Sequence, residues 1–355
     1  MTRRLRIVHV LPRDGIGGVE SAARSMAART GLPCDFHLLL IAGGTLAPNS
    51  PRIETSGFAS AADPRAHRAV LSRCLALDPD VVVASLWKSV PLLAALKLRR
   101  PRIKRVMTLN SGRDAHFADA VLFRAGVALA DEVWSDSAAA LAERRVTAPH
   151  RVISFVTERL APLPPAAPQP RFVAWARIDR NKGFDVALDL VAALAGRGLD
   201  SRFDLYGPDG GARASLEAQS RRLAIAGRVQ FHGPVERADL PAAATGASFF
   251  LLPSRLEGMA MACVEAMQLG LVPVVTPVGE MARYVVAGRT GLLIDPTRLD
   301  RAAGEIAALI VAPDRFAALG AAAAARWAAA PLYADDVCRA ATALARPGAA
   351  ARTRM

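Results

Sequence analysis

Short β-branched apolar runs alternate along the chain with longer Ala-rich stretches whose apolar positions recur at helical spacing. LRIVHVL (5–11) predicts a strand, and VESAARSMAAR (19–29) predicts a helix. FHLLLIA (36–42), VVVASL (81–86) and RVMTL (105–109) predict further strands. This is the rhythm of βαβ units, in which a parallel sheet is buried by helices on both faces. APLPPAAPQP (161–170) then places five prolines in ten residues. With few N–H groups and restricted φ, such a stretch suits a semi-rigid linker. The rhythm restarts at RFVAWA (171–176) and continues through RFDLYG, VQFHG, SFFLLP and LVPVVTP. The predicted architecture is two Rossmann-like, doubly wound α/β domains, 1–160 and 171–330, facing a cleft. The linker is 161–170, a last helix lies within 331–346, and 347–355 is a tail. Ligands of such sheets bind at the carboxyl ends of the strands.

Composition bounds the picture without changing it. A chain of 355 residues, 52% hydrophobic and 22% charged, is globular and long enough for two cores. Of its 45 basic residues only Lys88, Lys97, Lys104 and Lys182 are lysines, so the net charge of +13 reflects a general use of Arg. Four cysteines, Cys34, Cys74, Cys263 and Cys338, are widely spaced with no metal-binding pattern. They are expected to be reduced thiols of a cytoplasmic protein, with no zinc site. The N-terminal apolar run is too short for a signal peptide, and no run of about 18 apolar residues offers a membrane span. LKLRRPRIKR (96–105) holds six basic residues, interrupted by Pro101. It reads either as a solvated connection or, over 97–105, as a patch for an anionic membrane surface on the inner face of the cell membrane. Nucleic acid is not an expected partner, because no recognition module or interleaved aromatic pattern is present.

One stretch raises a chemical question. EGMAMACVEAM (257–267) carries Glu257 and Glu265 in an otherwise apolar segment. A buried carboxylate is costly unless it is hydrogen-bonded. FFLLP (249–253) reads as a buried strand, SRLEG as the following loop, and AMACVEAMQLG as a helix ended by Gly270. The two carboxylates are then roughly 10 Å apart at 1.5 Å per residue. That spacing suits two ends of a nucleotide-sugar, each carboxylate accepting vicinal hydroxyls, with the helix start facing a diphosphate. The plainer alternative makes Glu257 a helix-dipole partner and Glu265 a solvated residue. ARIDRNKGFD (176–185) places Arg177 and Lys182 around a loop, and Gly183 opens a helix. These cations suit a pyrophosphate or, equally, solvent. GIGG (15–18) is not a dinucleotide fingerprint, since GxGxxG would need Gly where Glu20 stands. The lone Asp-x-Asp, Asp78 and Asp80, spans Pro79 and reads as the start of a strand rather than a metal motif.

Taken together, ARIDRNKGFD, LYGPDG and the region from VQFHGPVE to GLLID resemble the donor-binding domain of retaining glycosyltransferases of family 4, which have the GT-B fold. IVHVLPRDGIGGVESAA, DPDVVVAS and ADEVWSDSAAALAERR are similar to segments of that family's first domain. The resemblance implies that Glu265 binds ribose hydroxyls and Glu257 sugar hydroxyls. It places the Gly258–Met259–Ala260 backbone, Gly207 and Ser254 at the donor, and Gly17 and Gly18 close to phosphate or sugar. Arg177 and Lys182 would neutralise the departing diphosphate, so that no metal and no other cofactor is needed. The last helix, ADDVCRAATALA (334–345), would cross back to the first domain. Two positions depart from the family. Asn110, in TLNSGRD, stands where a His is usual, with His116 on the helix expected to follow. Glu280 and Arg283 stand where a second Gly and a Glu are usual.

The expected function is sugar transfer from a nucleoside-diphosphate-sugar to a glycan or lipid-linked acceptor of the cell surface. The alternative, motivated by Asn110, is a GT-B-like protein that binds nucleotide-sugar or glycan without turnover. A sugar-nucleotide epimerase is a third GT-B possibility that the Glu-x7-Glu spacing does not favour.

Overall fold

The computed structural model describes residues 3–15, 17–43, 50–110 and 117–346. The chain forms two compact units, one running to Glu158 and resuming at Pro331, the other Arg159–Ala330.

The first unit is built on β1 (Arg6–Leu11), β2 (Asp35–Leu40), β3 (Ile53–Thr55), β4 (Val81–Ala84), β5 (Lys104–Leu109), β6 (Glu132–Ser135) and β7 (His150–Val152). They pair in the order β3-β2-β1-β4-β5-β6-β7, every pair parallel. Val81–Ala84 is buried at all four positions, as expected of a central strand covered on both faces. Val8, Val10, Leu39, Val70 and Leu96 share one core cluster, and Ala84, Leu93, Met107, Leu109 and Phe123 share another. The helix Pro64–Leu77 shows why local sequence suffices there. Asp63 caps it by accepting from the Arg65 N–H, Pro64 sits where no donor is needed, and Asp78 ends it in a left-handed conformation. Asp80 then receives the Arg6 N–H and the Arg3 guanidinium, which places the Asp-x-Asp at the start of β4.

The second unit is built on β8 (Arg171–Trp175), β9 (Arg202–Tyr206), β10 (Val229–Phe231), β11 (Phe249–Leu252), β12 (Val272–Val275) and β13 (Leu292–Leu293). Their order is β10-β9-β8-β11-β12-β13, again all parallel. Strand order reverses between β1 and β4 in one unit and between β8 and β11 in the other. The proline-rich stretch runs along the second unit, where Leu163 N donates to Leu269 O at 2.9 Å. The expected strands are present, each within a few residues of its predicted ends. The short β3 and β7 carry too few residues to show a pattern.

The last helix, Tyr333–Ala345, packs on the first unit. Tyr333 N donates to Val156 O at 2.7 Å, and Ser154 N donates to the Asp336 carboxylate at 2.8 Å. Cys34 and Cys338 are joined there as a disulfide, with Cα atoms 5.9 Å apart. This corrects the expectation of four reduced thiols, and with it the compartment argument drawn from them. Spacing along the chain could not reveal the pair, because the helix that brings Cys338 back lies 304 residues downstream of Cys34. Only Cys74 and Cys263 are free among the cysteines.

Candidate active site

The loops leaving β8 and β11 meet where the second sheet's strand order reverses. After β8, Asp179 accepts from Asn181 N at 2.9 Å and shapes the turn Arg180–Lys182. Gly183 follows at φ +68° and starts the helix Phe184–Gly196. A Cβ there would lie 1.9 Å from the carbonyl oxygen of Pro253, so only glycine lets the two loops approach. The approach puts Lys182 Nζ 2.7 Å from Glu257 Oε1. Ser254, which is buried, donates to the same oxygen at 2.7 Å, and its own carbonyl accepts from Thr276. A third segment closes the loop. Gly279, at φ +56°, lies against the Glu257 and Gly258 carbonyls, where a Cβ would come within 2.3 Å and 2.6 Å. Glu280 N donates to Gly258 O at 2.9 Å. Arg283 stays near Glu280 at 3.8 Å, so these two residues sit directly on the Glu257 loop.

The helix after this loop is Met261–Gln268, and Gly270 follows it at φ +82°. Its N-cap, Ala260, adopts a left-handed conformation and supplies no side-chain cap. Tyr284 holds the approach by donating its hydroxyl to Met259 O at 2.8 Å. Glu265 is buried, not solvated. Trp175, at the end of β8, donates its indole N–H to Glu265 Oε2 at 2.8 Å, and the Arg237 guanidinium meets Oε1 at 2.8 Å. The apolar segment therefore carries two carboxylates because each faces donors from other elements. Sequence reasoning missed Trp175, Arg237 and the Ser254–Glu257 bond. The requirement that a buried carboxylate find a donor was legible, but the donor's place in the chain was not.

Other side chains of the site are fixed by their surroundings. Arg177 is exposed and donates to Asp179 at 2.8 Å, so the structure does not bring it into the Lys182–Glu257 pair. Gly207 follows β9 and donates its N–H to Gly233 O at 3.0 Å. Burial pushes the Cys263 thiol up to about 12, which makes it inert as a nucleophile at neutral pH. A cavity of about 500 Å³ adjoins Ser254, lined also by Thr276, Val278, Ile294 and Asp295. Backbone and hydroxyl donation from Thr297 holds the Asp295 carboxyl below its ordinary range. Among the described residues, no group of three or more His, Cys, Asp or Glu side chains is placed to hold a metal ion.

In the first unit, Gly17 is the N-cap and Gly18 the first residue of the helix Gly18–Ala28, with Ser21 N donating to Gly17 O at 2.9 Å. Asn110 directly follows β5, and its Oδ1 accepts from Thr108 at 3.0 Å. His116 lies outside the described residues. The basic stretch 97–105 sits at the opposite edge of the sheet, and one member must be corrected. Arg105 is buried and paired with Asp131 at 3.0 Å, so it is a core residue and not part of a surface patch. Lys97, Arg99, Arg100 and Arg102 are exposed around Leu98, itself 85% exposed. Among the described residues, no single helix is long and apolar enough to cross a membrane.

Two doubly wound parallel sheets, with loops converging where strand order reverses, define the GT-B fold class. Residues 158–326 match the family model described as Glycosyl transferases group 1. Mannosylfructose-phosphate synthase of Agrobacterium fabrum is 33% identical over 133 residues, 35% of this chain and 29% of that protein. GDP-mannose:cellobiosyl-diphosphopolyprenol alpha-mannosyltransferase of Komagataeibacter xylinus is 30% identical over 139 residues, 39% of this chain and 35% of that protein. The chain thus spans about a third of the length of the curated relatives it matches. The crystal structure of Anabaena Alr3699/HepE in complex with UDP-glucose aligns with a TM-score of 0.75 at 19% identity, covering 95% of this chain and 98% of that one.

Proposed function

We propose that this protein is a retaining glycosyltransferase that moves a sugar from a nucleoside diphosphate to a hydroxyl of a glycan or lipid-linked acceptor. The observation that carries the proposal is the pairing of Lys182 with Glu257, with Glu265 anchored one loop away, at the reversal point of the second sheet. When the glycosidic C–O bond breaks, negative charge grows on the leaving diphosphate. Lys182 and the uncapped start of Met261–Gln268 offer it a cation and N–H dipoles already in place. Glu257, oriented by Lys182 and Ser254, is suited to sugar hydroxyls. Glu265, oriented by Trp175 and Arg237, is suited to the ribose, because a carboxylate oxygen accepts more than one hydrogen bond. Retention would follow from front-face attack, which needs no protein nucleophile, and the reading uses no metal. A relative named for a diphosphopolyprenol acceptor and a fold neighbour solved with UDP-glucose support a nucleotide-sugar donor and a lipid-linked acceptor.

The test is a thermal shift against UDP-, GDP-, ADP- and dTDP-sugars, with and without Mg²⁺. A donor at 100 times its Kd adds about 2.7 kcal/mol. One nucleotide class should raise Tm regardless of metal, and Glu265→Gln should lose most of that rise. A parent that responds to no donor, or a Glu265→Gln variant that responds in full, overturns the assignment. A binding protein without turnover would shift with donor yet release no nucleoside diphosphate with any acceptor extract.

A further inference from the structure

A second cavity lies wholly within the unit Arg159–Ala330, away from the candidate active site. Ser248 and Leu271 on its wall precede β11 and β12, whereas Ser254 and Glu257 follow β11, so it sits at the amino ends of the strands. Its volume is about 910 Å³, within the range of sites that enclose small organic ligands. Local sequence builds its two sides. Prolines have no N–H to satisfy, so Pro162 and Pro164 can stand as an apolar wall. Opposite them the helix Pro313–Ala328 presents Ala321, Ala324 and Ala328 on one face. Gly320 seats that helix, because a Cβ there would lie 2.5 Å from Gly270 O. Small side chains on this face leave the space that larger ones would fill.

The polar groups of the wall are mostly satisfied. Ser248 Oγ accepts from Gln169 N at 2.9 Å, and Thr245 Oγ1 donates to Pro241 O at 3.0 Å. Gln268 differs. It is 4% exposed, and its Oε1 accepts from Leu160 N at 3.2 Å. Leu160 N can only donate, so the amide cannot be reversed without setting two donors face to face. Nε2 is therefore buried without a partner, a costly state until an acceptor meets it. Arg159, beside Leu160, is the one charged residue among those described on the wall, and no Asp or Glu lines it. Its guanidinium donates to Trp327 O, to Ala328 O and, at 2.8 Å, to Ala330 O, and no carboxylate among the described residues pairs with it.

We propose that this cavity binds an aliphatic anion, its hydrocarbon chain between the Ala and Pro walls and its acidic oxygens accepting from Gln268 beside Arg159. The proposal goes beyond the glycosyltransferase reading and does not depend on it. Apolar walls select the chain by buried area. An unmet amide donor and an uncompensated guanidinium select acceptor oxygens and disfavour a cationic head. A free acyl carboxylate and an anionic membrane lipid present the same chemistry.

The test is isothermal titration of the full chain with octanoate, decanoate and dodecanoate below their micellar concentrations. One site should appear, tightening about fourfold for each added CH2 until the cavity is filled. Dodecylammonium should not bind. Ala321 is exposed, so Ala321→Trp should fold, fill the cavity and abolish dodecanoate binding. Gln268→Met removes the donor at similar size and should weaken dodecanoate about tenfold. If that variant does not fold, Ala321→Trp and the amine decide. Co-sedimentation with phosphatidylcholine vesicles, with and without phosphatidylglycerol, separates the two sources. Loss of phosphatidylglycerol-dependent sedimentation in Ala321→Trp assigns the site to membrane lipid. Sedimentation that is absent or unaffected, with dodecanoate binding lost, assigns it to a free acyl anion. Affinity that ignores chain length, equal binding of the amine, or full binding by Ala321→Trp overturns the proposal. So does a parent that binds neither alkanoate nor vesicle.

Discussion

His9 ties the stability of the first unit to pH. Its ring is enclosed, with Phe36 edge-on at 6.3 Å and the Ser85 hydroxyl at 2.7 Å, and burial lowers its pKa from 6.5 to about 3. Below pH 6.5 the unfolded chain takes up a proton on this residue, and the folded chain does not until about pH 3. The stabilisation is therefore complete above 6.5 and is lost as pH falls through that window. At about 1.4 kcal/mol per pH unit, the loss from pH 6.5 to 4.5 is about 2.7 kcal/mol. For a unit of this size that is a fall in Tm of about 5–11 °C. The carboxyls of Asp35 and Glu54, held below their ordinary values by Arg6 and Arg73, act in the same direction. Their contribution is present above the unfolded carboxyl pKa and goes only below about pH 4.5, so the window above it isolates the histidine. The assay is urea unfolding at half-unit steps from pH 4.5 to 7.5 for the parent and His9→Gln. The parent should lose stability with a slope near one proton, and the variant should be nearly flat. Equal slopes in the two proteins would refute a buried, neutral His9.

The Lys182–Glu257 pair and the disulfide give two further expectations. The pair's side chains are 21% and 8% exposed, so Lys182→Met should leave Glu257 poorly compensated and cost about 2–3 kcal/mol, less than for a fully buried pair. Adding Glu257→Gln should recover part of that cost, with a coupling of about 1–3 kcal/mol in a denaturation double-mutant cycle. Strict additivity would mean the pair is not formed. Thiol titration of unreduced protein in denaturant should count two thiols, Cys74 and Cys263, and reduction should raise the count to four. Cys338→Ser should cost about 2–4 kcal/mol by freeing the last helix. Four thiols before reduction would refute the Cys34–Cys338 bond.

By itself the sequence determined what is local. A run such as VVVA can satisfy its backbone and bury its side chains only as an interior parallel strand, and Gly270 can end a helix because glycine tolerates φ +82°. The expectation that Glu257 and Glu265 needed partners was also local, following from the cost of an unpaired carboxylate. Tertiary structure decided who the partners are. Lys182 reaches Glu257 across 75 residues, and Trp175 reaches Glu265 across 90, because β8 and β11 are neighbours in space although two strands separate them in the chain. The same holds for Cys34 and Cys338, and for Arg105, which reads as surface charge until Asp131 on the neighbouring loop encloses it. Periodicity and propensity act over a few residues, so they fix elements. Strand order is set by the packing of the whole sheet, and in this protein it is strand order that assembles the site.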